Sequence, residues 1–574
     1  MSSQSSRLSD LANALESLRI PSGFDGSERS DELRRRAFRR LRDHVIARLD
    51  HEDAPVLVVV GGSTGAGKST IVNTLVGREI SRSSALRPTT RRPVLIHHPE
   101  DAHWFEGTRI LADLARHRVA ADAPASTGSE AADTHALELR AVDSLPRGVA
   151  IVDAPDLDSV AEDNRALAKT LLDTADAWVF VTTAARYADA VPWQMLREAA
   201  VRDLALAVVL NRVPAGADRE IRPHLAQMLD SDGLTAVPII SIDTRDGISV
   251  TLPAADVEPI RNWLHALGDT AEARSHTVRR TVAGTLSLII AEGEEILADT
   301  VDMHVRLVDA AAVIPHEIYA LGQRVHTHMA DGSLLRHEVL ARWQEVVGTT
   351  QIARALDAGV ARVTHSIRHF FTGRTVYVRT MNTALVDGVA AMLVNECATA
   401  VERVRAAWST DRVTRHILDE VAPVPVDLID ERIRRVVRQW ETEVVAMVRD
   451  TGAARKMTAR VLAVGVNLLA LALMIVIFAS TGGLTGAEIG VAGASSVVAQ
   501  RLLESVFGDH AVTQMCQRAH EALLARIDEE MTALLTPLVE ALPAASGIDE
   551  LRHALDQANE VASELISQST GGRR

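Results

Sequence analysis

The chain has 574 residues and a formal net charge of −15. This length exceeds what one hydrophobic core covers and indicates about two or three domains. The acidic balance argues against a nucleic-acid partner, which favours a basic surface. The cysteines, Cys397 and Cys516, are far apart and lack metal-ligand spacing, so the sequence predicts neither a disulfide framework nor a zinc site.

The first segment, residues 1–53, is predicted to be helical. It has no basic start followed by an apolar core, so we do not interpret it as a secretory signal. It carries a stripe of arginines at Arg34, Arg35, Arg36, Arg39 and Arg40. We interpret this stripe as a solvated helix face.

An apolar run, Val56–Val60, predicts a buried parallel strand. It leads into a glycine-rich loop formed by Gly62, Ser63, Thr64, Gly65, Ala66, Gly67, Lys68, Ser69 and Thr70. The loop fits the phosphate-loop pattern, in which backbone N–H groups and a helix N-terminus face the phosphates. Lys68 is expected to reach the β- and γ-phosphates, and the Ser69 hydroxyl to bind Mg²⁺. The order of strand, loop and helix favours a nucleoside triphosphate site over a chance glycine-rich turn.

Residues 54–268 alternate strand and helix patterns, which predicts a doubly wound α/β domain with a mainly parallel sheet. The predicted strands are Val56–Val60, Val94–His97, Val149–Val152, Trp178–Thr182, Ala205–Leu210 and Val237–Ile242. Residues 118–134 are rich in Ala, Asp and Ser and are predicted to form an exposed insertion.

After Gly268 the strand patterns stop, and helical patterns predict a stalk or bundle with a first part at 269–458 and a return part at 504–574. The return part contains apolar residues at helical spacing, namely Leu523, Ile527, Met531, Leu534, Leu538 and Leu542. Such a stripe is typical of a helix that packs into a bundle.

Between these parts, residues 459–503 contain no charged side chain from Val461 to Ala487. The run is long enough to enter or cross a bilayer, although a helix buried on all sides by the bundle is the alternative. Basic residues flank it at both ends, and Gly482-Gly483 predicts a turn. We therefore favour a re-entrant hairpin over one span. Val461–Gln500 is predicted to be the only segment apolar enough to anchor the chain, at the cytoplasmic face of the membrane.

Two motifs follow the loop. The sequence Arg87-Pro88-Thr89-Thr90-Arg91-Arg92-Pro93 resembles the first switch of the dynamin superfamily of large GTPases, which implies that Thr90 closes on Mg²⁺ and the γ-phosphate. Asp153-Ala154-Pro155-Asp156 resembles the Asp-x-Pro-Gly second switch, with Asp156 in place of the glycine. Asp153 ends a predicted buried strand, where its carboxylate can hold the Mg²⁺ shell.

The resemblance places a guanine-reading loop at Asn211-Arg212-Val213-Pro214, where the family has Asn-Lys-x-Asp. It implies that Asn211 and Arg212 pack on the base. Pro214 lacks the carboxylate that accepts hydrogen bonds from guanine, so guanine specificity is implied by the family alone. Ser241, next to the end of the last predicted strand, is assigned to the remaining base-side loop. Thr64 stands where eukaryotic dynamins have a glutamine that positions water.

Taken together, these motifs, the helical region and the apolar segment resemble a bacterial dynamin-like GTPase, and some stretches resemble an actinobacterial branch of that group. The motifs cover residues 50–270 and the rest is similar in architecture only. The resemblance implies GTP as the substrate, Mg²⁺ as the cofactor, and membrane lipids plus a second copy or a paired dynamin-like GTPase as partners. It also implies that dimerisation of the GTPase domains is coupled to membrane remodelling or tethering.

Two alternatives stay open. Thr64, Asp156 and Pro214 all depart from the family pattern, which favours a nucleotide-gated membrane scaffold with little turnover. A P-loop ATPase of the transport class is the other, but Asp153 is followed by alanine instead of a catalytic glutamate, and the sequence contains no Leu-Ser-Gly-Gly-Gln signature.

Overall fold

A computed structural model describes residues 3–81, 93–107, 110–111, 114–120, 123, 136–156, 162–245, 251–330, 375–451, 465–478 and 491–570. The chain divides into two compact units. The first, here called the sheet unit, comprises Met1–Asp302 and Ala544–Arg574, and the second, the helical unit, comprises Met303–Pro543. The segment boundaries given above from the sequence stay predictions.

The sheet unit begins with α1 (Ser3–Ser17) and α2 (Ser27–Arg40), and α2 continues through a π-helical turn at Leu41–Ile46 and a short turn at Ala47–Asp50. The α/β region contains β1 (Val56–Gly62), α3 (Lys68–Val76), β2 (Val94–His97), β3 (Ala115–Arg118), β4 (Ala136–Ala141), β5 (Val149–Asp153), α4 (Glu162–Asp173), β6 (Ala177–Thr183), α5 (Ala190–Val201), β7 (Ala205–Val213), α6 (Asp218–Ser231), β8 (Ile239–Asp243) and α7 (Ala254–Gly268).

A long helix, α8 (Ala271–Ala330), starts in the sheet unit and ends in the helical unit. The helical unit continues with α9 (Thr375–Trp408), α10 (Arg412–Glu420), α11 (Val426–Thr451), α12 (Val466–Ile477), α13 (Val491–Phe507) and α14 (Asp509–Glu540). The last helix, α15 (Ile548–Thr570), belongs again to the sheet unit. The predicted order of an α/β domain followed by a long helical region is confirmed.

The eight strands are arranged in the order β3-β4-β2-β5-β1-β6-β7-β8, and β2 with β5 is the antiparallel pair. The central strand β1 is buried along its whole length between β5 and β6. Leu57 and Val59 face one apolar layer, whereas Val56, Val58 and Val60 face the other. Helices therefore cover both faces, as the predicted doubly wound domain requires.

Two strands, β3 and β4, were not predicted from the sequence. Strand β4 contains the charged residues Glu138 and Arg140, which are both buried and whose side chains pair at 2.5 Å. Because residues two apart in a strand share one face, the two charges neutralise each other inside the domain. Part of the predicted exposed insertion is also structured, since Arg118 lies in β3; residues 121–122 and 124–134 lie outside the described ones.

A cluster of helices covers one end of the sheet unit. Apolar residues of α1, α2, α8 and α15 form one core, which includes Leu8, Leu15, Leu286, Leu551 and Leu555. Polar contacts add to it, since Arg7 of α1 pairs with Glu564 of α15 at 2.8 Å. The last helix thus completes the core that the first helix begins.

The interpretation of the arginine stripe as a solvated face is wrong for Arg36 and Arg40. The Arg40 side chain is 1% exposed and pairs with Asp173 at 2.6 Å, Glu292 at 3.0 Å and Glu198 at 3.2 Å. These carboxylates come from α4, α8 and α5, so their convergence on one guanidinium holds α2 against the domain. Arg35, which is 65% exposed and pairs with Asp31, fits the prediction.

In the helical unit, α12 is buried on all sides by its neighbours. Every residue from Leu468 to Phe478 is at most 4% exposed. The Phe478 ring meets the Trp440 ring of α11 edge-on at 5.7 Å, and the Trp440 Nε1 donates to the Ala519 carbonyl of α14 at 2.7 Å. The alternative of a helix enclosed by the bundle therefore describes these residues. Residues 461–464 and 479–490 lie outside the described part of the chain, so the hairpin stays a prediction.

Among the described residues, one helix is long and apolar enough to cross a membrane by length and composition, and it is Thr380–Trp408 of α9. The expectation that Val461–Gln500 alone has this property is therefore wrong. In this structure α9 buries Leu385, Val389 and Leu393, which recur at helical spacing on one face. The high mean hydropathy of α9 thus has an ordinary cause in bundle packing.

We predict that Arg40→Leu lowers the free energy of unfolding by about 3 kcal/mol, because it leaves buried carboxylates without their cation. The matched variant Arg35→Leu removes an exposed ion pair and is expected to cost less than about 1 kcal/mol. Urea unfolding followed by circular dichroism measures both. Equal midpoints for the two variants would contradict the assigned role of Arg40.

Candidate nucleotide-binding site

The site lies at the carboxyl edge of the central strands, where β1 ends at Gly62 and α3 begins at Lys68. Gly62 has φ +149°, and a Cβ there would lie 1.9 Å from the Val181 carbonyl oxygen of β6. Gly67 has φ +97°, and its Cβ would lie 2.4 Å from the Asn211 Nδ2. Neighbouring strands therefore approach the loop so closely that these positions require glycine.

Lys68 is folded back into the loop. Its Nζ donates to the carbonyl oxygens of Gly62 at 3.0 Å and Ser63 at 3.1 Å. A third contact, at 2.5 Å, joins it to the Asp156 carboxylate. The ammonium is largely buried, at the centre of the ring of backbone that the sequence pattern assigns to phosphates.

Asp153 ends β5 next to Val60 of β1 and is fully buried. Its Oδ2 accepts hydrogen bonds from the Ser69 Oγ at 2.8 Å and the Ser81 Oγ at 2.5 Å. Its Oδ1 is buried and has no hydrogen-bond partner among the described residues. Burial raises the pKa of Asp153, and the hydroxyl contacts oppose this shift.

The positions of Asp153 and Ser69 can be compared with what Mg²⁺ requires of its ligands. The ion prefers oxygen ligands, and in nucleotide sites it takes only one or two from the protein because phosphates and water supply the rest. An unpartnered carboxylate oxygen next to the Ser69 hydroxyl fits that requirement. Over the described ranges, no group of three or more His, Cys, Asp or Glu residues forms a separate metal cage.

Asn211, at the end of β7, holds the loop from the other side. Its Nδ2 donates to the Ala66 carbonyl oxygen at 2.8 Å, and its Oδ1 accepts from the Arg212 N–H at 2.9 Å. Arg212 is exposed and has φ +55°. The amide of Asn211 is therefore committed to the loop backbone, and the packing of both residues on a base stays a prediction.

Two predicted site residues are placed differently or not at all. Ser241 lies inside β8, opposite Leu210, and not in a loop after the last strand, because β8 extends to Asp243. The contact of Ser241 with the base stays a prediction. Thr90 and its neighbours up to Arg92 lie outside the described residues, so the first-switch assignment stays a prediction.

Three contacts were missed by sequence reasoning. Ser81 donates to Asp153, and Asp156 pairs with Lys68. Arg186, in the turn after β6, donates through Nη1 to the Thr64 carbonyl oxygen at 3.1 Å. No motif marks Ser81, but Arg186 could have been found, since ligand-binding residues of α/β sheets follow the carboxyl ends of strands.

The strand, loop and helix, with Lys68, Ser69 and Asp153 converging at one edge, define a P-loop nucleoside triphosphate-binding domain. Residues 58–213 match the sequence profile of the dynamin family. Over this range the chain is similar to the dynamin family.

Comparison with solved structures finds two chains from work on an oligomerised bacterial dynamin pair, which provides a mechanism for the long-range sensing and tethering of membranes. They are 10% and 12% identical, cover 93% and 98% of this chain and 91% and 94% of their own, and have TM-scores of 0.43 and 0.42. A bacterial dynamin GTPase from ETEC, LeoA, is 13% identical, with coverage of 99% and 94% and a TM-score of 0.23. No curated protein sequence matches this chain significantly.

The close approach of β6 to Gly62 generates a prediction. Gly62→Ala is expected to lower the free energy of unfolding by about 3 kcal/mol and to abolish nucleotide binding, since a methyl group there displaces the Val181 backbone. Gly216→Ala is the matched control: Gly216 also has positive φ, at +83°, but nothing lies within 4 Å of its Cβ position. It should cost only about 1 kcal/mol of backbone strain.

Thermal unfolding and fluorescent-nucleotide titration of both variants check this expectation. If Gly62→Ala were as stable as Gly216→Ala, the contact between the loop and β6 would not constrain the site.

Proposed function

We propose that this chain hydrolyses GTP to GDP and phosphate and couples that cycle to remodelling or tethering of the cytoplasmic membrane. The observation that carries the catalytic part is the convergence of Lys68, the Ser69 hydroxyl and the unpartnered Oδ1 of Asp153 on a phosphate loop. The match of residues 58–213 to the dynamin family profile supports GTP as the nucleotide.

In the proposed reaction, backbone N–H groups of residues 62–70 and the N-terminus of α3 bind the phosphates. Lys68 sets its positive charge against the β- and γ-phosphates. Ser69 and Asp153, with Thr90 by resemblance, would hold Mg²⁺, which when bound offsets the negative charge of the phosphates. Catalysis then comes from positioning and electrostatics. Thr64 in place of a water-positioning glutamine predicts slow turnover or dependence on a second copy.

The membrane part of the proposal depends on Val461–Gln500. Its run without charged residues, from Val461 to Ala487, supports insertion into lipid at the cytoplasmic face of the membrane. Since α12 is enclosed by the helical unit, membrane binding through this segment requires that α12 leave its contacts with Trp440 and the surrounding helices. We propose that nucleotide-dependent association with a second copy, or with a paired dynamin-like GTPase, drives that release.

The scaffold with little turnover remains the second candidate. The Asp156 carboxylate forms an ion pair with Lys68, and residue 64 is a threonine instead of a water-positioning glutamine. The two functions differ in phosphate release measured with and without vesicles. An ATPase is the third, and competition of ATP against a fluorescent GTP analogue separates it from a GTPase.

We predict that Lys68→Ala weakens binding of a fluorescent GTP analogue by about 100-fold or more, since it removes the cation that the loop places against the phosphates. Asp153→Asn should retain GDP binding but lose phosphate release, because an amide is a poor Mg²⁺ ligand. Circular dichroism controls for folding. Unchanged analogue binding by Lys68→Ala would reject the site, and unchanged turnover of Asp153→Asn would reject the role of Asp153.

The release of α12 is testable on the unmodified chain. With anionic vesicles and a non-hydrolysable GTP analogue, we expect the protein to float with the vesicles and peptides of α11 around Trp440 to lose protection from hydrogen exchange. Peptides of α6 around Leu225, in the core of the sheet unit, serve as the internal control and should not change.

Flotation without a change in α11 would show that another surface binds lipid. Failure to float in any nucleotide state would overturn the membrane part of the proposal and leave the GTPase part intact.

A further inference from the structure

Asp156 holds a position that neither the phosphate-loop pattern nor the magnesium site explains. It follows Asp153 by three residues, and its Oδ1 lies 2.5 Å from the Lys68 Nζ. The carboxylate is 29% exposed, so it meets the loop from the solvent side and is not part of the buried core.

The contact with Asp156 uses a hydrogen-bond donor of the Lys68 ammonium group. An ammonium group has three N–H donors, and here they meet two carbonyl oxygens of the loop and one carboxylate oxygen. Both carbonyls belong to the loop itself. Asp156 supplies the one contact that carries full negative charge, so its carboxylate takes the role on Lys68 that a phosphate oxygen would take.

The position of this contact points to the terminal phosphate. Lysine of a phosphate loop reaches the β- and γ-phosphates, and Mg²⁺ held at the loop hydroxyl would offset the charge of the same phosphates. Asp153 meets Ser69 on that side, and Asp156 comes from the same connection after β5. A triphosphate brings more negative charge to this side than a diphosphate does, so the carboxylate opposes it more strongly.

We propose that Asp156 is a specificity-determining residue of the nucleotide site. It acts as a counter-ion for Lys68 that a γ-phosphate must displace, and it thereby lowers the preference of the chain for triphosphate over diphosphate. The proposal rests on the proposed nucleotide site and identifies the side chain that sets its selectivity.

A purely structural role for the pair is the competing explanation, and the contacts argue against it. Elsewhere in the sheet unit, Arg48 and Asp176 form an ion pair in which both side chains are at most 4% exposed. Removing either of those would leave a buried charge. Removing the Asp156 carboxylate leaves Lys68 on two carbonyls, so Asp156→Asn is expected to fold.

The test compares affinities of the full chain for a non-hydrolysable GTP analogue and for GDP, both with Mg²⁺. In Asp156→Asn, binding of the analogue should tighten by about tenfold and binding of GDP by less than about threefold, since a like charge facing a ligand mainly costs affinity. Asp156→Glu keeps the charge and should resemble the wild type. Asp243→Asn removes a carboxylate at the exposed end of β8 and should leave the ratio of the two affinities unchanged.

The outcomes distinguish a failure of the proposed function from a failure of the inference about Asp156. If the wild type bound neither nucleotide, the proposed function would fail. If the wild type bound both and Asp156→Asn weakened them equally, the pair would be structural and the inference would be rejected. An unchanged ratio in Asp156→Asn, with normal folding, would also overturn it.

Discussion

Strand β1 is held by parallel pairing on both sides, and the geometry of the site depends on that constraint. Its partner β5 brings Asp153 opposite Val60, and its partner β6 brings the Val181 carbonyl against Gly62. The other end of β1 is fixed as well, because the Leu57 N–H donates to the buried Asp176 carboxylate at 2.7 Å. Both ends of β1 therefore constrain the loop after Gly62. Ser69 contacts Asp153 at the end of β5, and Lys68 contacts Asp156 in the segment that follows β5.

Buried arginines extend this constraint to the helices of the sheet unit. Arg202, after α5, donates to the carbonyl oxygens of Leu172, Asp173 and Ala175 at the end of α4 and to the Thr285 hydroxyl of α8. Burial lowers the pKa of Arg202 to about 10, so it keeps its charge at neutral pH. The fit is close, since a Cβ on Gly284 would lie 2.1 Å from the Arg202 carbonyl oxygen. Arg40 and Arg202 therefore both link α4 to α8 through their side-chain contacts.

The sequence predicts most of the features that depend on residues close together in the chain. The apolar run of β1, the glycines of the loop and the carboxylate after β5 each follow from spacing, and the structure brings them together. The prediction fails where burial depends on partners distant in sequence. The charges of β4 cancel within one face, and Arg40 is neutralised by carboxylates from three helices. A sequence pattern assigns such residues to solvent.

The environment of the apolar segment also depends on partners distant in sequence. The composition of α12 indicates that it avoids water, but not whether lipid or protein surrounds it. In this structure Trp440 and the neighbouring helices surround α12. The Lys68–Asp156 pair was also not foreseen. The sequence shows that Asp156 replaces a glycine, but only the geometry shows which group its carboxylate meets.

Because α15 is synthesised last, the core of the sheet unit that it completes can form only late in synthesis. The apolar faces of α1 and α8 leave the ribosome long before Leu551 and Leu555, which complete their core. At elongation rates of about 5–20 residues per second, the delay between α8 and α15 is on the order of 10 to 50 s. During that time the whole helical unit, including α12, is being made. The apolar faces of α1 and α8 therefore stay uncovered by α15 until synthesis of the chain is nearly finished.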